Sequence, residues 1–213
     1  MTITPPELSI VIPVYNGSNT ISKLVDNLMA IDIPGGIEII LVNDGSADNS
    51  AEKCRNIVAN SAARITFLDL TRNFGEHNAV LAGLRAASGN FVITMDDDFQ
   101  DAPDEVPRLY QHTKENDFDV VYTRSAKKQH SLFRNLGSSF ANFTADLVLS
   151  KPKNLYLSSF RCIRKIVVDH IIQYSGPYPY IDGLIFQATH RAGSIEVEHL
   201  PRTERKSNYT LSR

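Results

Sequence analysis

The sequence FVITMDDDFQDAP at residues 91–103 decides the fold of this chain. Its apolar first part, 91–95, predicts a short strand that is buried on both faces. Four aspartates and a glutamine follow within six residues, so the strand leads directly into a dense acidic group. In open α/β sheets, ligands bind outside the carboxyl ends of the strands. The acidic group therefore marks a candidate ligand site.

The four carboxylates of Asp96, Asp97, Asp98 and Asp101 repel one another unless a positive charge lies among them. A divalent cation is the simplest source of that charge. Hard oxygen ligands suit Mg²⁺ or Mn²⁺, which complete their coordination with water and substrate phosphate oxygens. The alternative is a helix N-terminus that Asp98 or Asp101 caps ahead of Pro103. Because capping needs one acid rather than three, the pattern favours a metal site.

A strand–helix pattern precedes this stretch three times. The strands are predicted at 8–14, 37–42 and 65–70, and the helices at 20–31, 50–60 and 78–87. Four consecutive units indicate a mainly parallel sheet with helices on both faces, because parallel neighbours need crossover connections. We therefore predict an α/β fold. Later elements are a helix from 104 to about 114, a strand at 119–122, a helix at 163–174, and segments of undecided type at 183–189 and 194–199.

Three other predicted strand ends also carry polar loops, at 12–16, 42–50 and 71–78. In the second loop, Asp44 could accept hydrogen bonds from a ribose hydroxyl or a base, and Gly45 permits close approach to the backbone. The alternative is an ordinary turn with a helix cap at Ser46 or Asp48. Each loop alone is weak evidence. A parallel sheet, however, places all four loops in one crevice.

Composition limits the class of protein. The 213 residues, 42% of them hydrophobic, can fill one sizeable core, and the formal charge of -2 excludes a general nucleic-acid-binding surface. Cys54 and Cys162 are too few for a disulfide framework or a zinc site. The sequence has neither a signal-peptide pattern nor an apolar run of roughly 18 residues. We therefore expect one domain without a transmembrane segment.

The polar motifs resemble those of a known family. The motifs IPVYN at 12–16, VNDGSADNS at 42–50, RNFGEHNA at 72–79 and MDDDFQDAP at 95–103 resemble the nucleotide-sugar half of the family 2 glycosyltransferases. Within that family, three later motifs are similar to the polyprenyl-phosphate and dolichyl-phosphate sugar transferases: KKQHSLFRNLGS at 127–138, LSSFRCIRKIVVD at 157–169 and RTERKSNYTLSR at 202–213. This resemblance implies an A-type glycosyltransferase fold, in which helices flank a Rossmann-like, mainly parallel sheet.

The resemblance also implies roles for individual residues. It divides a single domain, 1–213, into a nucleotide-sugar-binding half at 1–123 and an acceptor-binding half at 124–213 with a basic C-terminal segment. The implied nucleotide-sugar-binding residues are Pro13, Tyr15, Asn16, Asp44, Arg72, Asn73, Gly75, Asp96 and Asp97. The implied metal ligands are Asp96, Asp98 and Gln100.

Basic residues of the second half are implied near the phosphates. By resemblance, Arg134 and Arg161 act with Asp98 in catalysis. The implied acceptor-binding residues are Arg134, Arg161, Arg202, Ser207 and Tyr209. Arg205 departs from the family pattern, in which a glycine is usual, and this departure affects the expected mobility of the segment that closes over the phosphates.

The function predicted is inverting, metal-dependent transfer of a sugar from a nucleotide-diphosphate sugar to a polyprenyl phosphate, either undecaprenyl or dolichyl. The metal, Mg²⁺ or Mn²⁺, would neutralise the diphosphate leaving group. A lipid phosphate arrives already ionised and needs no base, which fits the arginines of the second half. We expect the chain to act in the cytoplasm, at the inner face of a membrane. The sugar, the nucleotide and any homo-oligomer are left open.

Two other functions stay open. One is a transferase of the same fold that acts on a sugar hydroxyl in polysaccharide synthesis. It would need a carboxylate base, for which Asp182 in YIDGL is the best candidate. The other is a nucleotide-binding module without activity, which the intact Asp96, Asp98 and Gln100 disfavour. Dependence on a lipid acceptor separates the first alternative from the predicted function, and turnover of a nucleotide sugar separates the second.

Overall fold

The computed structural model describes residues 4–125 and 155–198. In these ranges the strands are β1 (Leu8–Val14), β2 (Ile37–Asn43), β3 (Ile65–Asp69), β4 (Phe91–Thr94), β5 (Val120–Ser125), β6 (Arg161–Arg164) and β7 (Ala192–Val197). The helices are α1 (Ile21–Met29), α2 (Ser50–Asn60), α3 (Glu76–Ala86), α4 (Val106–Glu115), α5 (Lys165–Ile171) and α6 (Ile181–Ala188), and a 3₁₀ turn at Pro103–Glu105 precedes α4.

These strands form one sheet in the order β3-β2-β1-β4-β6-β5-β7. The first four are parallel neighbours, whereas β6 pairs antiparallel with both β4 and β5, and β7 lies parallel to β5. Among the described strands, β6 alone runs against the rest. The predicted α/β fold with a mainly parallel central sheet is confirmed.

The helix predicted at 163–174 is wrong at its start. Its first two residues belong to β6, and α5 begins only at Lys165 and ends at Ile171. Because β6 lies between two other strands, Cys162 and Ile163 are both fully buried. A short run that is apolar on both faces has no period that distinguishes a strand from a helix. The segments left undecided at 183–189 and 194–199 fall mainly in α6 and β7 respectively.

The sheet is buried on both faces. Alternation along β1 sends Ile10 and Ile12 into one hydrophobic cluster and Val11 into the other. Leu24 of α1 packs in the first cluster and Leu84 of α3 in the second. Both leucines are fully buried, and each such side chain contributes about 1.5–3 kcal/mol to stability. The two layers hold the carboxyl ends of β1 to β4 together at one edge.

Candidate active site

The polar loops that follow β1, β2, β3 and β4 lie at the same edge of the sheet, because these strands are adjacent and parallel. Hydrogen bonds join the first two loops. The backbone N–H of Asn16 donates to Ser46 Oγ at 2.9 Å, and the N–H of Ala47 donates to Asn16 Oδ1 at 2.8 Å. The N–H of Ser18 donates to Asp48 Oδ2 at 3.1 Å. The predicted convergence of these loops is confirmed.

Asp44 connects the loop after β2 to the loop after β3. Its side chain is buried, and its two oxygens accept hydrogen bonds from the backbone N–H groups of Phe74 at 2.7 Å and Gly75 at 3.0 Å. Neither Ser46 nor Asp48 is the N-cap of α2, which is Asn49 without a side-chain capping hydrogen bond, whereas Asp48 accepts from the N–H of Ser50 two residues on, as in an ordinary turn. Asp44 therefore fixes the shape of the loop that carries other predicted nucleotide-binding residues.

The loop after β3 also contacts Gly45. This glycine has a φ of 62°, and a Cβ placed on it would overlap the backbone of Arg72 and Asn73. The close approach that we expected at Gly45 is therefore made by another loop of the chain. Arg72 and Asn73 are exposed, and the Arg72 guanidinium lies 4.2 Å from the centroid of the Phe74 ring. Asn73 Oδ1 accepts from the N–H of Gly75 at 3.0 Å.

The remaining residues predicted to bind the nucleotide sugar lie at the end of β1. Pro13 is half-buried within the strand, opposite Val42 of β2 in the register. Tyr15 is 36% exposed, and Asn16 adopts a left-handed conformation with a φ of 53°. These residues share the crevice with Asp44.

Several residues predicted for the acceptor side lie outside the described ranges. They are Arg134, Arg202, Ser207 and Tyr209, together with Arg205.

The acidic group begins where β4 ends. Asp96 is half-buried, and its Oδ2 accepts a hydrogen bond from the Ser159 hydroxyl at 3.0 Å. Asp97 is buried against the loop after β1, where a Cβ on Gly17 would overlap its carboxylate. Asp97 therefore helps to join the first and fourth loops. Ser159, which was not predicted as a site residue, comes from the segment before β6.

The next residues form a tight turn. Asp98 is buried, and its Oδ1 accepts from the backbone N–H of Gln100 at 3.1 Å. Phe99 between them has a φ of 60°, a left-handed conformation that is uncommon outside glycine, asparagine and aspartate. Such backbone strain concentrates at functional sites. The turn holds the Asp98 carboxylate against the backbone of Gln100, the residue that is also predicted to be a metal ligand.

Electrostatics within the acidic group are unfavourable to negative charge. Burial and then the charge of Glu76 raise the pKa of Asp96 to about 6, although the Ser159 hydrogen bond opposes the shift. Burial followed by the charge of Asp96 raises the pKa of Asp101 to about 8. A cation would reverse both effects. Glu76, in the first turn of α3, was also missed by the sequence patterns, because its proximity to β4 depends on packing.

The donor set fits a hard divalent cation. Carboxylate and amide oxygens are the ligands that Mg²⁺ and Mn²⁺ prefer. Within residues 4–125 and 155–198, no three His, Cys, Asp or Glu side chains are grouped so that they could hold a metal ion by themselves. This agrees with Mg²⁺ sites in general, which use one or two carboxylates and keep positions for water and substrate phosphate.

Arg161 lies at the start of β6, opposite Tyr122 of β5 in the register. Its side chain is buried and forms an ion pair with Asp182 of α6. The Tyr122 hydroxyl donates to the same Asp182 oxygen at 2.8 Å, and the Arg161 guanidinium lies 5.8 Å from the centroid of the Tyr122 ring. The structure thus brings together a predicted phosphate-binding arginine and the acid that we considered as a base.

The charge of Arg161 is maintained despite its burial. Burial lowers the pKa of Arg161, but Asp182, Tyr122 and Glu76 together raise it above the ordinary value. Burial and then the charge of Arg161 lower the pKa of His77, whose ring packs edge-on against Tyr180 at 5.4 Å between centroids. One buried positive charge therefore lies near the acidic group and the first turn of α3.

The fold and this strand-end site define a glycosyltransferase domain of the A type. The model of glycosyl transferase family 2 matches residues 9–172, and the chain belongs to that family. The predicted family is therefore confirmed. Within the described residues, no helix is long and apolar enough to cross a membrane.

Several curated proteins are similar over nearly the whole chain. The undecaprenyl-phosphate 4-deoxy-4-formamido-L-arabinose transferases of Yersinia pestis (strain Pestoides F) and Yersinia pseudotuberculosis serotype O:3 (strain YPIII) are each 35% identical over 209 residues. The match covers 97% of this chain, which spans 64% of the length of those relatives.

Solved structures have the same fold at lower identity. Glucosyl-3-phosphoglycerate synthase from Mycobacterium tuberculosis, in complex with Mn²⁺, uridine diphosphate and phosphoglyceric acid, superposes with a TM-score of 0.68 at 19% identity and covers 94% of this chain and 72% of that one. S. aureus TarS in complex with UDP-GlcNAc gives a TM-score of 0.67 at 18% identity, covering 97% and 61%. A mannosyltransferase from Pyrobaculum calidifontis, in complex with GDP-Man and Mn²⁺, gives 0.66 at 16%, covering 93% and 58%.

Proposed function

We propose that this chain transfers a sugar from a nucleotide-diphosphate sugar to a polyprenyl phosphate. The observation that carries the proposal is the acidic group at the end of β4 with the buried Arg161 nearby. This arrangement occurs in a chain that is 35% identical to proteins named undecaprenyl-phosphate sugar transferases. Since the acceptor is a lipid, the reaction would take place at a membrane surface.

The nucleotide end of the donor would lie over the loops after β1, β2 and β3. Tyr15 and Arg72 are exposed there and could contact a base or ribose directly. Asp44 would act mainly by holding the Phe74 and Gly75 N–H groups, although each of its oxygens can accept a further hydrogen bond. Pro13, Asn16 and Asn73 would complete this part of the site.

The diphosphate end would lie over the acidic group, where Asp96, Asp98 and Gln100 would hold Mg²⁺ or Mn²⁺. The bound cation would supply Lewis-acid stabilisation of the departing nucleoside diphosphate. Ser159 orients Asp96 through its hydrogen bond, and the Gln100 N–H orients Asp98. These two contacts fix both carboxylates before a ligand arrives, which limits the reorganisation needed during the reaction.

The acceptor phosphate would approach from the side of Arg161. An ionised phosphate oxygen can attack the anomeric carbon without losing a proton, so a single displacement with inversion requires no carboxylate base. Arg161 is itself buried and paired with Asp182, so it would contribute to the local charge and hold this side of the site rigid rather than contact the phosphate directly. Arg134, Arg202, Ser207 and Tyr209 stay as further candidates for the acceptor side.

The two alternatives fit the geometry less well. A sugar-hydroxyl acceptor would need Asp182 as a base, but the Oδ1 of Asp182 accepts hydrogen bonds from both Arg161 and Tyr122. This buried oxygen is therefore already occupied by two donors. A binding module without activity would not need the charge concentrated at Asp96, Asp98 and Asp101.

Calorimetric titration with UDP and GDP, each with and without Mn²⁺, tests the donor side. Transfer is then measured from a panel of UDP- and GDP-sugars to undecaprenyl phosphate. Asp98→Asn should reduce transfer by roughly a hundredfold or more, because one transition-state contact of this kind contributes that much. The matched control is Asp104→Asn, an exposed acid six residues further on, which should behave as the wild type. Absence of nucleotide binding under every condition would refute the proposal.

A further inference from the structure

A groove opens beside the crevice, between the loop after β3 and the loop that joins α5 to α6. Its volume is about 450 Å³, within the range of small-molecule sites. Its lining residues are Arg72, Asn73, Phe74, Asn78, Pro177 and Tyr178. None of the predicted metal ligands lines it. The groove is therefore distinct from the predicted metal site, although both lie at the edge of the sheet where the parallel strands end.

The first wall of the groove is the loop after β3, and hydrogen bonds to neighbouring elements hold this loop in place. Asp44 accepts hydrogen bonds from the N–H groups of Phe74 and Gly75, which fixes the backbone that carries the Phe74 ring. The side-chain amide of Asn78 donates to the Phe74 carbonyl at 2.9 Å. The Arg72 guanidinium stacks on the Phe74 ring at 4.2 Å. This wall is formed before any ligand binds.

The second wall is fixed by Tyr174 and Arg85. The Tyr174 hydroxyl donates to the carbonyl of Tyr178 at 3.1 Å, and Arg85 of α3 donates to the Tyr174 carbonyl at 2.6 Å. A Cβ on Gly176 would overlap the Tyr174 hydroxyl, so the tyrosine ring lies directly against the backbone of this turn. These contacts hold the backbone that places Pro177 and Tyr178 in the lining of the groove with Phe74.

The chemistry of the lining is amphipathic. Three apolar side chains, Phe74, Pro177 and Tyr178, face one positive charge, Arg72, and no carboxylate is among the residues of the groove. Phe74 is 41% exposed and Tyr178 is 85% exposed, so hydrophobic surface is available for a ligand. Exposed aromatic rings with an adjacent cation suit a hydrocarbon that ends in an anion.

The groove is also correctly placed for such a ligand. His77, one residue before the lining residue Asn78, packs edge-on against Tyr180 at 5.4 Å between ring centroids. Asp182, two residues after Tyr180, pairs with Arg161, so the groove lies beside the elements that hold this arginine. A ligand seated along Phe74 and Tyr178 could place its charged end near the site of transfer.

We propose that this groove binds the isoprene units next to the phosphate of the lipid acceptor. Phe74, Pro177 and Tyr178 cover the hydrocarbon, and Arg72 provides positive charge at the wall shared with the nucleotide site. This inference rests on the proposed function, and it assigns the acceptor a place that the sequence motifs did not indicate.

The test compares two acceptors that share a phosphate but differ in hydrocarbon: citronellyl phosphate, with two isoprene units, and methyl phosphate, with none. For the double variant Pro177→Ala and Tyr178→Ala, which leaves the wall that carries Arg72 intact, we expect kcat/KM with citronellyl phosphate to fall roughly tenfold, from lost apolar contact. The small activity with methyl phosphate and the Kd for the donor nucleotide should stay unchanged. Thermal unfolding verifies that the variant is folded.

Two control variants sharpen the result. Met29→Ala removes a side chain that is also 41% exposed but lies at the end of α1, at the opposite edge of the sheet, and should have no effect. Tyr178→Phe retains the ring and should behave as the wild type. Unchanged kcat/KM for citronellyl phosphate in the double variant would overturn this inference alone. If the affinity of the double variant for the donor nucleotide fell by the same factor as kcat/KM, the groove would instead belong to the donor site. Failure of the wild type to use any prenyl phosphate would overturn both proposals.

Discussion

Tyr122 of β5 donates a hydrogen bond to Asp182 of α6 at 2.8 Å, although 60 positions separate the two residues in the sequence. The same Asp182 oxygen is paired with Arg161, so the tyrosine and the arginine share one acceptor. All three side chains are buried. The contacts fix α6 to β5 and β6 and neutralise a buried cation near the proposed site of transfer.

Replacing Asp182 should therefore cost far more than replacing Tyr122. Asp182→Asn leaves the buried guanidinium without a counter-charge, and we expect a loss of about 3 kcal/mol in the free energy of unfolding. Tyr122→Phe removes one hydrogen bond and should cost about 1 kcal/mol. Urea denaturation measures both. If the two variants lose the same amount, the Arg161–Asp182 pair does not control stability here.

The acidic group should make the metal-free protein less stable as pH rises. The pKa of Asp101 is raised to about 8 and that of Asp96 to about 6, so the folded chain holds protons that the unfolded chain has already lost above pH 4. Stability therefore falls between about pH 4 and pH 8 and is flat beyond.

Asp101→Asn should remove most of that decrease in Tm. The measurement is Tm against pH in a chelating buffer, with Asp104→Asn as the exposed control. Mn²⁺ should raise the wild-type Tm at pH 7.5 by several degrees, since a cation bound only to the folded state stabilises it. A metal-free Tm that is independent of pH for the wild type would contradict this account.

Gly45 should not tolerate a side chain. Gly45→Ala combines a left-handed conformation with overlap against the backbone of Arg72 and Asn73, which cannot rotate away as a side chain would. We expect a loss of about 2 kcal/mol in stability and weaker nucleotide binding, because the loops after β2 and β3 are forced apart. Chemical denaturation and calorimetry provide the two measurements.

Gly36→Ala is the matched control. Gly36 also has a positive φ, of 87°, but no atom lies within 4 Å of its added Cβ. It should show only the backbone cost of about 1 kcal/mol, with nucleotide binding unchanged. Equal losses in the two variants would mean that the close approach at Gly45 is unimportant.

Asp44→Asn tests whether this acid acts through the loop that it holds. An amide retains one acceptor oxygen but turns its N–H₂ group toward a backbone N–H, so one of the bonds to Phe74 and Gly75 is lost. We expect about 1–2 kcal/mol less stability and at least tenfold weaker nucleotide binding. Wild-type nucleotide affinity in a destabilised variant would show that the loop shape is irrelevant to the donor.

Much of the fold follows from local patterns. The strand Leu8–Val14 and the helix Ser50–Asn60 have the predicted bounds, because apolar periodicity and flanking turn residues act over a few positions. The short strand β6 was not predicted, since its burial on both faces removes the alternation that identifies a strand. The acidic turn follows a buried strand as predicted, but the sequence patterns did not indicate that Ser159 and Glu76 lie beside it.

The sequence by itself determined the four strand–helix units of the first half, the parallel arrangement of their strands and the position of the acidic loop, because these depend on neighbours along the chain. Only the tertiary structure decided that Asp44 holds the loop after β3, that Arg161 pairs with Asp182, and that the pKa values of Asp96 and Asp101 are raised. Those properties arise from burial and from charges that folding brings together from distant parts of the chain. Local periodicity in the sequence predicts neither of these two causes.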